Sequence, residues 1–333
     1  MPDAAVSLAS SRPSPALHCY AILCATVTFV LIFVGGLVTS TGSALAVPDW
    51  PLAYGRLVPK LVGGVRFEYG HRVIAGVVVV LTLVLTGWIW RAEPRRWVLK
   101  LTLAAFTLII VQAILGGITV LLLLPLPIAV AHAAMAQAFF CLMVAIALFT
   151  NPRFGTYRTI ETNYARPRLT ALATLTIAVI YVQILVGAVM RHLGAGTAIP
   201  DFPLSFGEVV PPFFSVQVGI NFAHRCGALV VSFFVIWTVV RVLRFHRDNA
   251  YLRRPAIALL VLLALQIMLG AFTVWSGRAV LPTTAHVAAG AAVLATSLAL
   301  AIRAFALGGL AVMGEPAKVR APMHTTVEGK VSA

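Results

Sequence analysis

Four of the eight histidines in this 333-residue chain fall into two matched pairs. His71 and His132 lie in the first half, His224 and His286 in the second, and the halves are offset by 153 residues from 71 to 224 and by 154 from 132 to 286. Each stands at the mouth of a long apolar segment. An ionisable side chain inside a membrane is costly and is read as functional by default. Two imidazoles on opposite faces of a planar macrocycle give six-coordinate iron, so the pairs predict two haem sites built by facing helices. A non-haem metal would need more ligands per site, and the helices of the second half offer no nearby carboxylate.

The pairs differ in one neighbour. Glu68 lies three residues before His71, on the same helical face, and the equivalent position in the second half is Asn221. A carboxylate beside a haem can move protons, orient water or stabilise a developing cation, whereas an amide can only hydrogen-bond. This asymmetry assigns chemistry to the first half and a structural or electron-carrying haem to the second. The alternative for Glu68 is a helix N-terminal carboxylate favoured by the dipole. Arg72 and Arg225 follow His71 and His224. A guanidinium there either clamps the carboxylates of a cofactor or reaches to the interface as a helix-end charge. His18, His246 and His324 read as solvated, and His192 as within reach of a cofactor edge. Cys19, Cys24, Cys141 and Cys226 lack metal-site spacing and read as packing residues.

The elements that must position these residues are membrane helices. Hydrophobic residues make up 60% of the chain and charged residues 11%, far below the roughly 25% of a soluble protein. The predicted fold class is all-α: a polytopic membrane protein with eight transmembrane helices, in two pseudo-repeated four-helix bundles. The spans fall near 17–38, 72–90, 98–121, 128–149, 169–190, 221–243, 256–276 and 282–305. The net charge of +15 collects in loops on one side, which places both termini in the cytoplasm and all four histidines toward the outer face. No nucleic-acid motif accompanies the charge, so no nucleic-acid partner is expected.

The halves repeat in sequence. Pro48, Asp49, Pro51, Leu52, Gly55 and Pro59 recur as Pro200, Asp201, Pro203, Leu204, Gly207 and Pro211. Gln112, Gly116 and Thr119 recur as Gln266, Gly270 and Thr273. An even number of helices per half makes this a parallel repeat. The predicted organisation is a polar tail (1–16), an N-terminal four-helix half (17–150), a cytoplasmic linker (151–168), a C-terminal four-helix half (169–306) and a cytoplasmic tail (307–333). Two long outer loops, roughly 39–70 and 191–220, carry the P-D-[WF]-P-L cores and read either as caps over a cofactor or as surface turns.

The segments T-G-S-A-L-A-V-P-D-W-P (41–51) and E-Y-G-H-R (68–72), with the duplicated A-H (131–132 and 285–286), resemble the haem A synthase family over roughly residues 20–306. The resemblance implies an enzyme of the inner (plasma) membrane that oxidises a methyl group of haem O to a formyl group, giving haem A for terminal oxidases. It implies a haem b cofactor on His224 and His286, substrate haem O near His71 and His132, and Glu68 as the essential glutamate. Haem O synthase and terminal-oxidase assembly factors become candidate partners, alongside lipid and an electron donor that the sequence does not name. Some family members carry loop cysteine pairs; this chain has none at 39–70 or 191–220. One rival is a di-haem b-type electron-transfer cytochrome, which would need ligands on both sides of the membrane. The other is a repeat-built transporter, which would place ionisable groups at mid-membrane.

Overall fold

In the computed structural model of the chain, residues 14–154 and 167–313 are described, the side chains as far as 307. Most of the polar tail, the centre of the linker and the end of the C-terminal tail lie outside the described residues, and with them Arg158, Arg166, Lys318, Arg320, Lys330 and His324. The described residues form eight long helices: α1 (Pro15–Ser40), α2 (Val65–Ala92), α3 (Arg96–Leu121), α4 (Leu126–Phe149), α5 (Leu169–His192), α6 (Val216–Phe245), α7 (Ala250–Trp275) and α8 (Val280–Met313). All eight are long and apolar enough to cross a membrane. α2, α3, α6 and α7 expose rows of large apolar side chains, as lipid-facing helices do, whereas α4 and α8 lie between the halves with few exposed residues. The starts are capped where the sequence supplies a cap: Ser14 Oγ accepts from the Leu17 amide, Ser215 Oγ from Val218 and Asn249 Oδ1 from Tyr251.

Within the first half α1 packs on α2, α2 on α3, α3 on α4 and α4 back on α1; α5 to α8 close the same cycle. The halves meet through α1 on α8, α4 on α5 and α4 on α8. Phe140 and Ala291 are buried in that seam. Arg191 of α5 crosses it, donating to the Gly36 carbonyl at 2.6 Å and to Ser40 Oγ at 2.9 Å, while Thr284 of α8 donates to the same hydroxyl.

The apolar cores fill one end of each bundle. Leu17, Leu85, Ile89, Phe139, Met143 and Ile146 pack together in the first half, and Val235, Val239, Leu252, Leu259, Leu294 and Leu300 in the second. These residues come from the starts of odd-numbered helices and the ends of even-numbered ones, opposite the end that carries the paired histidines.

Two expectations change. α2 and α6 begin at Val65 and Val216, well before the predicted 72 and 221. At α2 the reason is that Arg66 and Glu68 depress local hydropathy without breaking the backbone hydrogen bonding of a helix whose first turns are held by a loop. The histidines are therefore not at helix mouths. They are the seventh residues of α2, α4 and α8 and the ninth of α6, which puts them about 10 Å along each axis. His18 is not simply solvated: its Nδ1 lies 2.9 Å from the Ala147 carbonyl and its Nε2 3.2 Å from Asn151 Nδ2, tying α1 to the end of α4.

Candidate functional site

Each paired histidine lies on an even-numbered helix and packs on a glycine of the helix before it. A β-carbon added at Gly35, Gly116, Gly187 or Gly270 would meet Cε1 of His71, His132, His224 or His286 at 3.0, 3.1, 2.9 and 3.1 Å respectively. Only a bare backbone lets the ring lie that close. Because those glycines sit near the ends of α1, α3, α5 and α7, all four rings collect at one end of the molecule.

The His224 and His286 rings are 6.4 Å apart between centroids, with planes 73° apart. About 2 Å for each metal–nitrogen bond, with about 1 Å from nitrogen to ring centre on either side, requires a gap of about 6 Å. The pair is spaced for one metal atom between two imidazoles. His71 and His132 lie within electrostatic reach of one another, and the Nδ1 of each is buried without a hydrogen-bond partner. Such orphaned ring nitrogens are costly in apolar surroundings and point to rings built for a ligand not held by the protein alone. Among the described residues no three His, Cys, Asp or Glu side chains group as a metal site. The donor sets are pairs, which suits a macrocycle that brings its own equatorial nitrogens.

A hairpin is tied to the helix that carries the first histidine of each pair. Asp49 takes the Tyr54 and Gly55 amides at 2.7 and 2.8 Å, and Asp201 takes Phe206 and Gly207 at 2.7 and 2.8 Å. Both central residues of each turn have positive φ, 53° and 69° in the first and 59° and 81° in the second, which is where glycine is needed. The Gly55 amide, with that of Tyr54, holds the Asp49 carboxyl below its ordinary range, and the Gly207 amide does the same for Asp201.

The arginines next to the histidines hold these caps. Arg72 donates to the carbonyls of Asp49 at 2.7 Å, Leu52 at 3.0 Å and Val47 at 3.2 Å, and to Glu68 Oε1 at 2.6 Å. Arg225 donates to Leu204 at 2.7 Å, Ile199 at 3.0 Å and Asn221 Oδ1 at 2.9 Å. Buried Glu68 also accepts the Val47 amide at 2.8 Å, and Asn221 donates to the Ala195 carbonyl at 2.8 Å. The caps diverge at their aromatic residue. The ring of Trp50 lies on Gly117, where a β-carbon would collide with it. Its counterpart Phe202 rests on Trp275 at 6.1 Å.

Residues 18–62 and 65–298 match the pattern of the COX15-CtaA family, described as cytochrome oxidase assembly protein. Heme A synthase of Symbiobacterium thermophilum is 32% identical over 268 residues, 77% of this chain and 85% of the relative. The belonging is decided by that match. The chain is a member of the haem A synthase family. Heme A synthases of Staphylococcus haemolyticus, 28% identical over 254 residues (74% of this chain, 82% of the relative), and Listeria monocytogenes, 29% over 273 residues (80% and 87%), are similar to it as well.

In this member of the haem A synthase family, the four histidines come together two by two at one end, with Glu68 and Asn221 one turn before His71 and His224. His192 lies within electrostatic reach of His132, with its Nδ1 2.8 Å from the Ala188 carbonyl of its own helix. The sequence reading named Gly116 and Gly270 only as repeat positions and passed over Gly35, Gly187 and the glutamine Gln183, whose Nε2 donates to the His224 carbonyl at 2.7 Å. The signal was available: Q-A-I-L-G (112–116), Q-I-L-V-G (183–187) and Q-I-M-L-G (266–270) repeat one Q-x-x-x-G spacing on three odd-numbered helices.

Proposed function

We propose that the chain oxidises a methyl group of haem O to a formyl group, giving haem A, with haem O held between His71 and His132 and a resident haem b between His224 and His286. The observation that carries this reading is the duplicated glycine-backed histidine clamp with a carboxylate beside only one copy. When bound, the resident haem supplies a one-electron redox centre. The chain's own residues do the rest. The histidine pairs would hold each macrocycle. Arg72 and Arg225 contribute to haem binding by fixing the caps above the sites, which exclude water from the reacting edge. Glu68 is the group beside this site that can hold or hand on a proton at its carboxylate oxygens, where Arg72 and the Val47 amide stabilise the charge.

The basic-loop bias supports a multi-pass protein of the inner membrane with cytoplasmic termini and outward-facing clamps. Exposed helix surfaces let a prenylated haem approach sideways through lipid. Haem O synthase and oxidase assembly factors are the partners this product calls for. Clustering of all four ligands at one end counts against a cytochrome that carries electrons across the membrane.

The test is expression in a host that makes haem O but no haem A, followed by extraction of the pigments. Haem A is expected. Its absence, from protein that carries haem b, would overturn the proposed reaction. His224→Ala or His286→Ala is expected to remove bound haem b, and retention of that spectrum would overturn the split of roles.

A further inference from the structure

The four histidines share a backing glycine but not a polar partner. Four residues before the glycine, on the same helical face, α3 carries Gln112, α5 Gln183 and α7 Gln266; α1 carries Leu31. Each glutamine touches its histidine. Gln183 Nε2 lies 3.0 Å from His224 Nδ1 as well as on that residue's carbonyl. A carboxamide can present either oxygen or NH2 to a ring nitrogen, and Gly227 leaves the space it occupies. Gln266 takes His286 Nδ1 on its backbone carbonyl at 3.1 Å and brings its amide to 3.4 Å from Nε2. Gln112 holds only the backbone of its partner, donating to the His132 carbonyl at 2.8 Å.

His71 has none of this. Leu31 packs into the apolar core of the first half, and His71 Nδ1 is buried and unpartnered. Glu68, one turn earlier on α2, is already engaged by Arg72 and the Val47 amide. The support is therefore graded: two rings held at a nitrogen in the second half, His132 held at its backbone carbonyl with its Nδ1 as unpartnered as that of His71, and His71 held at neither.

We infer that His71 is the displaceable ligand of the N-terminal pair, and that leucine in place of glutamine at position 31 makes it so. This rests on the reading that the N-terminal pair holds haem O. An outer hydrogen bond to a ligating imidazole fixes its orientation and raises its basicity, and losing one weakens metal binding about 10–100-fold. A site that must accept substrate and release product gains from one loose ligand. The resident haem gains from two fixed ones. Glu68 lies one helical turn before His71 on α2, so the loosely held ligand and the carboxylate belong to the same stretch of helix.

The test uses the full-length protein purified from a host that makes haem O, with carbon monoxide as the probe of open iron positions and apomyoglobin as haem acceptor. In the wild type the N-terminal haem is expected to bind carbon monoxide and pass to apomyoglobin while the C-terminal haem does neither. Leu31→Gln, which installs the glutamine of the other three helices, is expected to slow that transfer about 10–100-fold and reduce carbon monoxide binding. Gln183→Leu is expected to open the C-terminal haem to carbon monoxide. His71→Ala is expected to keep the N-terminal haem, now five-coordinate, and His132→Ala to lose it. Unchanged transfer in folded Leu31→Gln, with the C-terminal haem spectrum as the measure of folding, overturns the inference. Should that variant not fold, the histidine pair decides: equal loss in both, or greater loss in His71→Ala, overturns it. Protein with no porphyrin in either half would instead remove the proposed function itself.

Discussion

Replacing Gly187 by alanine tests the clamp geometry most directly. The added β-carbon would stand 2.9 Å from His224 Cε1, where ordinary contacts begin at 3.4 Å. The nearest atom belongs to a ring that lies in a packed wall, with Gln183 on its Nδ1, so the ring must move by at least the difference. A metal–ligand distance tolerates only about 0.2 Å, and a displaced ligand of this kind weakens binding about 10–100-fold. Gly187→Ala is therefore expected to be purified with little haem b. The spectrum that remains should lose its bis-histidine low-spin character. Gly219→Ala is the control, because nothing lies within 4 Å of a β-carbon there, and alanine favours a helix over glycine by about 1 kcal/mol. The assay is the ratio of haem absorbance to protein in both variants. A full complement of unaltered low-spin haem b in Gly187→Ala would refute the claim that glycine is required to seat the ligand.

Glu68→Gln is expected to retain haem b and stop formation of haem A; pigment extraction reads both, and undiminished product would take Glu68 out of the reaction. Arg72→Ala leaves a buried carboxylate and three loop carbonyls without their donor, a change that typically destabilises by about 3–5 kcal/mol; thermal unfolding in detergent should show the loss, and Glu68→Gln added to it should restore part. The hairpins should respond to acid. The Asp49 and Asp201 carboxyls are held below their ordinary range by turn amides, so their contribution is present above the ordinary carboxylate pKa and disappears as pH falls through the depressed value. Amide exchange at Gly55 and Gly207 is expected to stay slow at mildly acidic pH and to accelerate only below that range; acceleration near neutrality would contradict the assignment. Gly117→Ala is expected to expel Trp50 from its seat, which Trp50 fluorescence would report in a variant lacking the other tryptophans.

Much of this was legible in the sequence because two copies of one half amplify weak signals. A single histidine in an apolar helix says little, but the offset repetition of His71 and His132 singles out all four. Helix ends were less legible. Hydropathy starts α2 at 72 because it counts Arg66 and Glu68 as polar, yet Glu68 pairs with Arg72, Arg72 takes loop carbonyls and Arg66 lies exposed, so the helix begins at Val65. The cap geometry was not readable, since Asp49 looks like a free acid until the amides of Tyr54 and Gly55 are seen around it. The glycine backing was readable in principle from the Q-x-x-x-G spacing. It was hidden because the fourth copy on α1 has leucine in the first position and because a comparison of halves aligns α3 with α7, not with α5.

The duplication also supplies an internal control for Glu68. In the second half the same scaffolding task, tying the residue three before the histidine to the arginine after it and to the loop above, is done by Asn221 with Arg225 and the Ala195 carbonyl. A neutral amide therefore suffices to dock a cap of this shape on a helix of this kind. Glu68 does the docking with a carboxylate, buried to 4% exposure and paired with Arg72, where losing water costs a charge more than it costs an amide. A charge that the architecture does not need, kept beside one clamp and absent from the other, requires a use that differs between the two sites. Proton handling at the substrate haem is such a use. A double swap, Glu68→Asn with Asn221→Glu, separates the two roles: both caps should remain docked and both haems bound, while haem A formation should cease. Continued formation of haem A in the swapped protein would show that the carboxylate serves only the cap.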